Sequence, residues 1–372
     1  MDLDFNQDQV LLRDSVSAMC AQFSNLLEIR SVEGKEPGYS ESFWQQLIDL
    51  GITGMNIQEE YGGLGMNLFE SLIVYEEFGR NLSFSPHFIS CCHGATLVSK
   101  LGNNLQKDEI LPLIATGDSI LSVAWLEKGS SFAKEGINME VQSKDDYFFI
   151  TGKKQMVPYA SSANKMVLLC KNSNSNLSAF LIDTNLEGIS LNYQPNHAGE
   201  NLHEVSFDRV KLDKSMMLAE GQALIDAWNS TVNDCLILLA AQASGGSEQA
   251  LHLAVKYSKE RELFGQLLGG FQSIAHYLAD ALVEVEANKL LCYQAAWAKD
   301  ENMDIERLSA MAKMQTCQTF RDVSATTIQI YGGLGFTSEA DPQLFFRRAK
   351  HLQNSLWDRR YLEERISNIL LD

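Results

Sequence analysis

Two glycine strings in the chain raise the question of phosphate chemistry: QIYGGLGF at Gln329–Phe336 and EYGGLGM at Glu60–Met66. Bare glycine amides can cradle a phosphate when they lie between a strand and a helix N-terminus. Neither string is followed by Lys-Ser/Thr, which excludes a P-loop, and neither follows a convincing strand to open a βαβ unit. Each, taken alone, reads as a turn that needs positive φ or close main-chain approach. Soft ligands gather only at Cys91-Cys92-His93, where adjacent cysteines are poorly placed to chelate one ion. The cysteines at 20, 91, 92, 170, 235, 292 and 317 are odd in number and lack a CxxC pair. They read as reduced thiols of a cytoplasmic protein.

The elements that would position such residues change in kind along the 372 residues. Residues 1–118 read as helical: Phe5–Gln9 leads into an apolar-periodic stretch, and Ser40–Leu50 and Leu68–Phe78 repeat the rhythm. From Ser119 to about Leu218 the chain breaks into short β-rich runs, among them YFFITGKKQMV, KMVLLC and LSAFLI, separated by turn-formers. That spacing predicts a sandwich or barrel. Beyond Gly221 the pattern is helical again, and Ile274, Tyr277, Leu278, Ala281, Leu282 and Val285 recur as one buried helix face. The expected organisation is thus an α-helical domain over 1–118, a β domain over 119–218 and a helical bundle over 219–372. A net charge of −18 argues against general nucleic-acid or anionic-membrane binding. The longest apolar run, Cys235–Ala241, is too short to span a bilayer, and the acidic start MDLDFNQDQV carries no export signal.

The stretch YSKERELFGQLLGGFQSIAHYLAD, Tyr257–Asp280, together with QIYGGLGFTSEADPQLFFRRAK, Gln329–Lys350, resembles the acyl-CoA dehydrogenase family. The matching pattern is R-x-x-F-G at Arg261, Phe264 and Gly265, then Phe271-Gln272, then Q-x-x-G-G-x-G-F-T from Gln329 to Thr337; Tyr61–Gly65 matches the family's early Y-G-G-x-G turn. The α–β–α order extends the resemblance over essentially the whole chain. It implies an α+β fold with an N-terminal helical domain, a middle β-sandwich or barrel and a C-terminal four-helix bundle. It also implies FAD held between the β domain and the C-terminal helices and completed by a neighbouring subunit of a homotetramer or heterotetramer. Arg261 would contact the FAD pyrophosphate, a role its guanidinium geometry suits; a surface arginine paired with Glu260 is the plainer alternative. Phe264, Gln272, Gln329, Gly332 and Gly333 would complete the nucleotide site. The implied activity introduces an α,β double bond into an acyl-CoA thioester, with electrons passing to an electron-transfer flavoprotein or a similar acceptor.

The chain departs from the family at the chemistry itself. A carboxylate must remove the α-proton, and in most members it lies in I-Y-E-G-T after R-D-A-[KR]. Here the segment reads RRAKHLQNSLWDRR, and a gap-free count from Arg347 puts Leu356 at that position, two residues before Asp358. The alternative position on an earlier helix falls on Cys235, beside Asp234. Asp358 and Asp234 are therefore alternative candidates for the base, each of which could instead be a capping or surface carboxylate. Gap-free matching of AWLEKGSSFAKEG to T-E-P-x-x-G-S-D places Leu126 and Phe132 at the flavin- and thioester-contacting threonine and serine, while Glu127, Gly129 and Gly136 agree. In GKKQMVPYA, Gly152 and Lys154 fit the family, whereas Met156, Val157 and Pro158 leave main-chain amides to serve the ring. Pro158 with RRAK resembles a subgroup acting on steroid-derived or other bulky acyl-CoAs, several members of which pair two related chains, one sometimes without the base. A catalytically reduced partner subunit and a dehydrogenase of carrier-protein-bound acyl groups are thus the alternative functions. Arg347, Arg348, Lys350, Arg359 and Arg360 form a basic run that could meet CoA phosphates or interface acids, or be a solvated helix face.

Overall fold

Asn6 opens the first helix: its side chain accepts from the Gln9 amide and the Gln9 side chain accepts from the Asn6 amide, a closed capping box. From there the computed structural model, which describes residues 4–131, 133–144 and 146–371, runs through α1 (Gln7–Phe23), α2 (Leu26–Val32), α3 (Glu41–Asp49), α4 (Leu68–Arg80), α5 (Ala95–Leu101) and α6 (Asn104–Ala115). Ser40 caps α3 and Asn103 caps α6. Asn67 makes no side-chain cap on α4; the Asp300 carboxylate accepts from the amides of Leu68 and Phe69 instead. A π-helical turn, Phe88–Gly94, precedes α5.

The β region follows as β1 (Leu121–Ala124), β2 (Val141–Lys144), β3 (Tyr147–Pro158), β4 (Lys165–Lys171), β5 (Leu177–Asp183), β6 (Ile189–Tyr193), β7 (Leu202–Asp213) and β8 (Met217–Glu220). Two sheets form, in the orders β1-β4-β5-β8 and β2-β3-β7-β6. The β1–β4 pair is parallel and the other pairs within these two sheets are antiparallel. Met166, Leu168, Phe180 and Ile182 of the first sheet share one core with Ile150, Val157, Val205 and Phe207 of the second, which makes the region a β-sandwich. Strand β8 escapes the sequence reading because MLAE is four residues long and shows no alternation.

Helices return with α7 (Gln222–Glu260), a short hairpin of β9 (Glu262–Leu263) and β10 (Gln266–Leu267), then α8 (Gln272–Asp300), α9 (Glu306–Tyr331), α10 (Pro342–Asn354) and α11 (Arg359–Leu371). Helix α9 packs against α8, α10 and α11, with Phe320 and Phe345 fully buried at its contact with α10. The chain forms two compact units, one of Met1–Ser31, Asn67–Ser83 and Leu236–Asp372, the other of Val32–Met66 and Phe84–Cys235. The face expected to be buried on α8 is only partly so: Val285 is buried, whereas Tyr277 is 57% and Leu282 50% exposed. The periodicity is real, but this stretch of α8 finds too little of its own chain to cover it.

Candidate active site

In the first unit the motif residues converge through a small apolar cluster. Ala254, Leu268 and Ile330 are its buried members, and Tyr257, Phe271, Ile274 and Leu278 pack on them. Tyr257 and Tyr331 stack with ring centroids 4.0 Å apart. This packing holds the β9–β10 hairpin, the start of α8 and the end of α9 together, so Arg261, Phe264, Gln272, Gln329, Gly332 and Gly333 lie on connected elements. The hairpin turn takes φ of +53° at Phe264 and +81° at Gly265, a region that glycine enters freely and phenylalanine rarely. Phe264 is 93% exposed. Arg261 is exposed too, and its guanidinium has neither ion pair nor hydrogen bond among the described residues, so the pairing with Glu260 does not form.

The two glycine strings need their glycines for different reasons. At Gly63 a Cβ would run into the Ile57 carbonyl, and the turn is tied down by Gly63 N–H to Gln58 O (3.2 Å), Gly65 N–H to Ile57 O (2.8 Å) and Met66 N–H to Met55 O (2.7 Å). At Gly332 and Gly333 a Cβ would meet nothing within 4 Å. Packing does not require those two glycines, although Gly332, at φ +64°, needs glycine for its backbone conformation. They leave a bare, exposed main-chain surface of the kind a phosphate or sugar can approach closely.

In the second unit, the residues of the AWLEKG loop that agree with the family pattern do structural work. The Glu127 carboxylate accepts from the amides of Asn138 (3.0 Å) and Met139 (2.9 Å) and from Lys154 Nζ at 2.7 Å. Lys154 is fully buried and also donates to Trp125 O at 3.2 Å. Burial pulls the Lys154 ammonium down and Glu127 opposes that pull. The pair pins the loop to β3, and the Gln155 amide donates to Leu126 O at 2.8 Å. Beside it β3 bulges between Lys154 and Val157, with Met156 at φ +51°. The Val157 side chain is turned into the sandwich core, so only its main chain is left to meet a ligand. Phe132 lies outside the described residues.

The candidate base positions separate. Leu356 is buried at φ +57° between α10 and α11. Its turn is clasped by Lys313, a buried lysine of α9 whose ammonium donates to Gln353 O at 2.9 Å and to Trp357 O; burial pulls that ammonium down as well. Asp358 is exposed and caps α11, accepting from the Tyr361 amide at 2.9 Å. Asp234 is partly buried on α7, 3.7 Å from Lys100, which also donates to Ser230 (2.9 Å) and Thr231 (3.3 Å). Its neighbour Cys235 is buried, and burial pushes that thiol well above its ordinary value. The basic run disperses: Arg348 is buried, with an N–H toward Leu82 O at 3.5 Å, Arg347 bonds Gln343, Lys350 bonds Gln353, and Arg359 pairs with Glu363. A separate polar pocket of about 390 Å³ in the first unit, lined among others by Arg80, Glu77, Glu248 and Lys289, is largely self-neutralised, Arg80 bridging Glu77 (3.2 Å) and Glu248 (2.9 Å).

Known proteins match this architecture along most of its length. The family model for the acyl-CoA dehydrogenase N-terminal domain matches residues 6–118, and that for the C-terminal domain matches residues 227–354. The chain belongs to the acyl-CoA dehydrogenase family. Membership makes it an FAD-dependent oxidoreductase. It is 28% identical over 330 residues to the CarC subunit of the caffeyl-CoA reductase–Etf complex of Acetobacterium woodii, covering 83% of this chain and 85% of that one. It is 26% identical over 342 residues to the rat mitochondrial short-chain specific acyl-CoA dehydrogenase, covering 89% and 83%. The butyryl-CoA dehydrogenase structure from Megasphaera elsdenii shares the fold at a TM-score of 0.92, 24% identity and full coverage of both chains.

In the first unit, a guanidinium at Arg261 without a partner among the described residues and an open glycine surface at Gly332 and Gly333 are groups whose chemistry suits the phosphates of a dinucleotide such as FAD. In the second unit, the loop at Leu126 and the bulge at Met156–Val157 present main chain and apolar groups. Sequence reasoning passed over Lys313, and it weighed His93 only as a metal ligand. A lone lysine within the apolar stretch of α9 was the available signal for the first, and none marked the second.

Proposed function

We propose that the protein desaturates an acyl-CoA thioester between its α and β carbons, with Asp234 as the proton acceptor. The observation that carries this reading is the retained nucleotide surface of a family member: an exposed Arg261 with no partner among the described residues, and Gly332 and Gly333 open to approach. Bound FAD would supply the hydride acceptor. Arg261 would hold the pyrophosphate by charge-assisted hydrogen bonds, and Gln272, Gln329 and the glycine amides would line its nucleotide part. The amides near Val157 and Leu126 would orient the ring of a bound FAD whose site a neighbouring subunit completes. Asp234 would take the α-proton on a carboxylate oxygen, with Lys100 beside it at 3.7 Å to keep that carboxylate in place. Asp358, exposed and engaged in capping α11, is the weaker alternative.

The exposed Tyr277 and Leu282 on α8 and the exposed Phe264 support self-association or pairing with a related chain. Likeness to a subunit of an Etf complex supports an electron-transfer flavoprotein as acceptor. Seven free, buried cysteines support a reducing, cytoplasmic setting, and among the described residues no helix is long and apolar enough to cross a membrane. A second reading, a partner subunit without its own chemistry, is favoured by Leu356 and Cys235 at the two family base positions.

Purified protein incubated with FAD should retain flavin absorption, and that absorption should bleach on addition of an acyl-CoA. With an artificial electron acceptor, Asp234→Asn should abolish turnover and Asp358→Asn should leave it intact. A colourless protein, or full turnover in D234N, defeats the proposal.

A further inference from the structure

The second unit contains an aromatic box with unspent hydrogen-bonding capacity. His93, in the π-helical turn Phe88–Gly94, is fully buried against Trp125 and Trp228, with ring centroids 5.5 Å and 5.1 Å away. The two indoles lie 5.7 Å apart. Neither ring nitrogen of His93 has a hydrogen-bond partner among the described residues, and neither has the buried indole nitrogen of Trp125. The other buried histidines of this unit do better: His87 bonds Ile52 O at 2.9 Å and His203 bonds Glu36 at 3.0 Å. Burial, with Lys100 nearby, pushes His93 down to about 3, so the ring is neutral, one nitrogen donating and one accepting. Native folds rarely leave buried polar atoms unpaired, and each one that remains needs an explanation, His93 most of all because both its ring nitrogens are unpaired. π-Helical turns recur at functional sites.

The box also has a telling address. Trp125 immediately precedes Leu126 of the pinned loop, and Lys100 acts on both His93 and Asp234. We infer that His93 and the Trp125 indole form the polar contact for the acyl portion of the thioester, and that the substrate carries a hydroxyl or amide there rather than plain hydrocarbon. An oxygen of that group accepts from the indole or imidazole N–H, and its O–H or N–H donates to the remaining imidazole nitrogen. This rests on the acyl-CoA reading proposed above. A site built to hydrogen-bond a polar group rejects the analogue lacking it, because its own buried donors are then left unpaired.

The test uses the full-length, FAD-loaded protein titrated calorimetrically with hexanoyl-CoA and with hydroxyhexanoyl-CoAs carrying the hydroxyl at each chain carbon in turn. At least one hydroxylated ligand should bind wild type about tenfold tighter than hexanoyl-CoA. His93→Leu should erase that preference, and His93→Gln, which keeps a donor and an acceptor, should retain most of it. Without ligand, H93L should unfold at a higher temperature than wild type, since it removes an unpaired buried polar ring. Should H93L fail to fold, H93Q and Trp125→Phe carry the comparison. An equal or reversed preference in wild type, or a preference unchanged in H93L, overturns the inference. Binding of no member of the set while flavin remains bound defeats the acyl-CoA reading itself, and the inference falls with it.

Discussion

Replacing Lys154 by methionine isolates the device that holds the AWLEKG loop to β3. Lys154 is fully buried and Glu127 is 13% exposed, their charged atoms 2.7 Å apart. Removing one member of a buried pair typically costs about 3–5 kcal/mol, mostly because the other charge is stranded. Here Glu127 keeps two main-chain amides, from Asn138 and Met139, so the lower end applies, about 3 kcal/mol. At about 2 °C per kcal/mol for a chain of this size, K154M should melt about 6 °C below wild type by circular dichroism. Neutralising the stranded carboxylate should recover part of that loss, so the Glu127→Gln, Lys154→Met double variant should cost less than the sum of the singles. The loop carrying Leu126 should loosen as well, and FAD retention should fall in K154M. A K154M protein within about 0.5 kcal/mol of wild type in urea denaturation, within the range of ordinary surface substitutions, would refute the argument. So would strictly additive singles.

Gly63→Ala and Gly333→Ala place the same change in near-identical strings with opposite consequences. The first should cost about 2 kcal/mol by forcing a methyl into the Ile57 carbonyl, and the second should leave thermal stability within about 0.5 kcal/mol of wild type while weakening FAD binding. Arg261→Met should raise the FAD dissociation constant about 10- to 100-fold and leave apo-protein melting unchanged, since the guanidinium has no partner to lose; equal losses in both measurements would mark it as structural. Acid should destabilise the fold: burial pushes His87 from 6.5 to about 4, so its stabilisation is complete above pH 6.5 and is lost as pH falls toward 4. His87 alone accounts for about 3 kcal/mol at the lower end. His87→Asn should flatten that limb of the stability profile, and an unaltered limb would exclude His87 as its source.

How much of this was legible in the sequence depended on whether a feature is local. Strands β3, β4 and β5 announce themselves in runs such as MVLLC, where every residue is compatible with a buried pleat, and α1 does so in Asn6 and Gln9. Arg261 and Gln329 stand out as candidates because their spacing forms a family pattern. By contrast, the Glu127–Lys154 pair joins residues 27 apart in the chain, and the Lys313 clasp joins α9 to the turn after α10. Nothing in either local sequence announces such a partner. The α8 face was misjudged for a related reason: periodicity shows that a face is apolar without showing what covers it. The two cysteine neighbours of His93 suggest a metal ligand, whereas its surroundings are Trp125 and Trp228, distant in sequence.

The Lys313 clasp bears on how such a chain could change its chemistry. The ammonium holds carbonyls on either side of Leu356, at Gln353 and Trp357, so the left-handed turn is set by main chain and lysine rather than by the side chain at 356. The two lysine bonds do not pass through the buried Leu356 side chain, so they are available to any residue that the turn accepts there. A polar side chain placed there would still meet a turn already held by these two bonds.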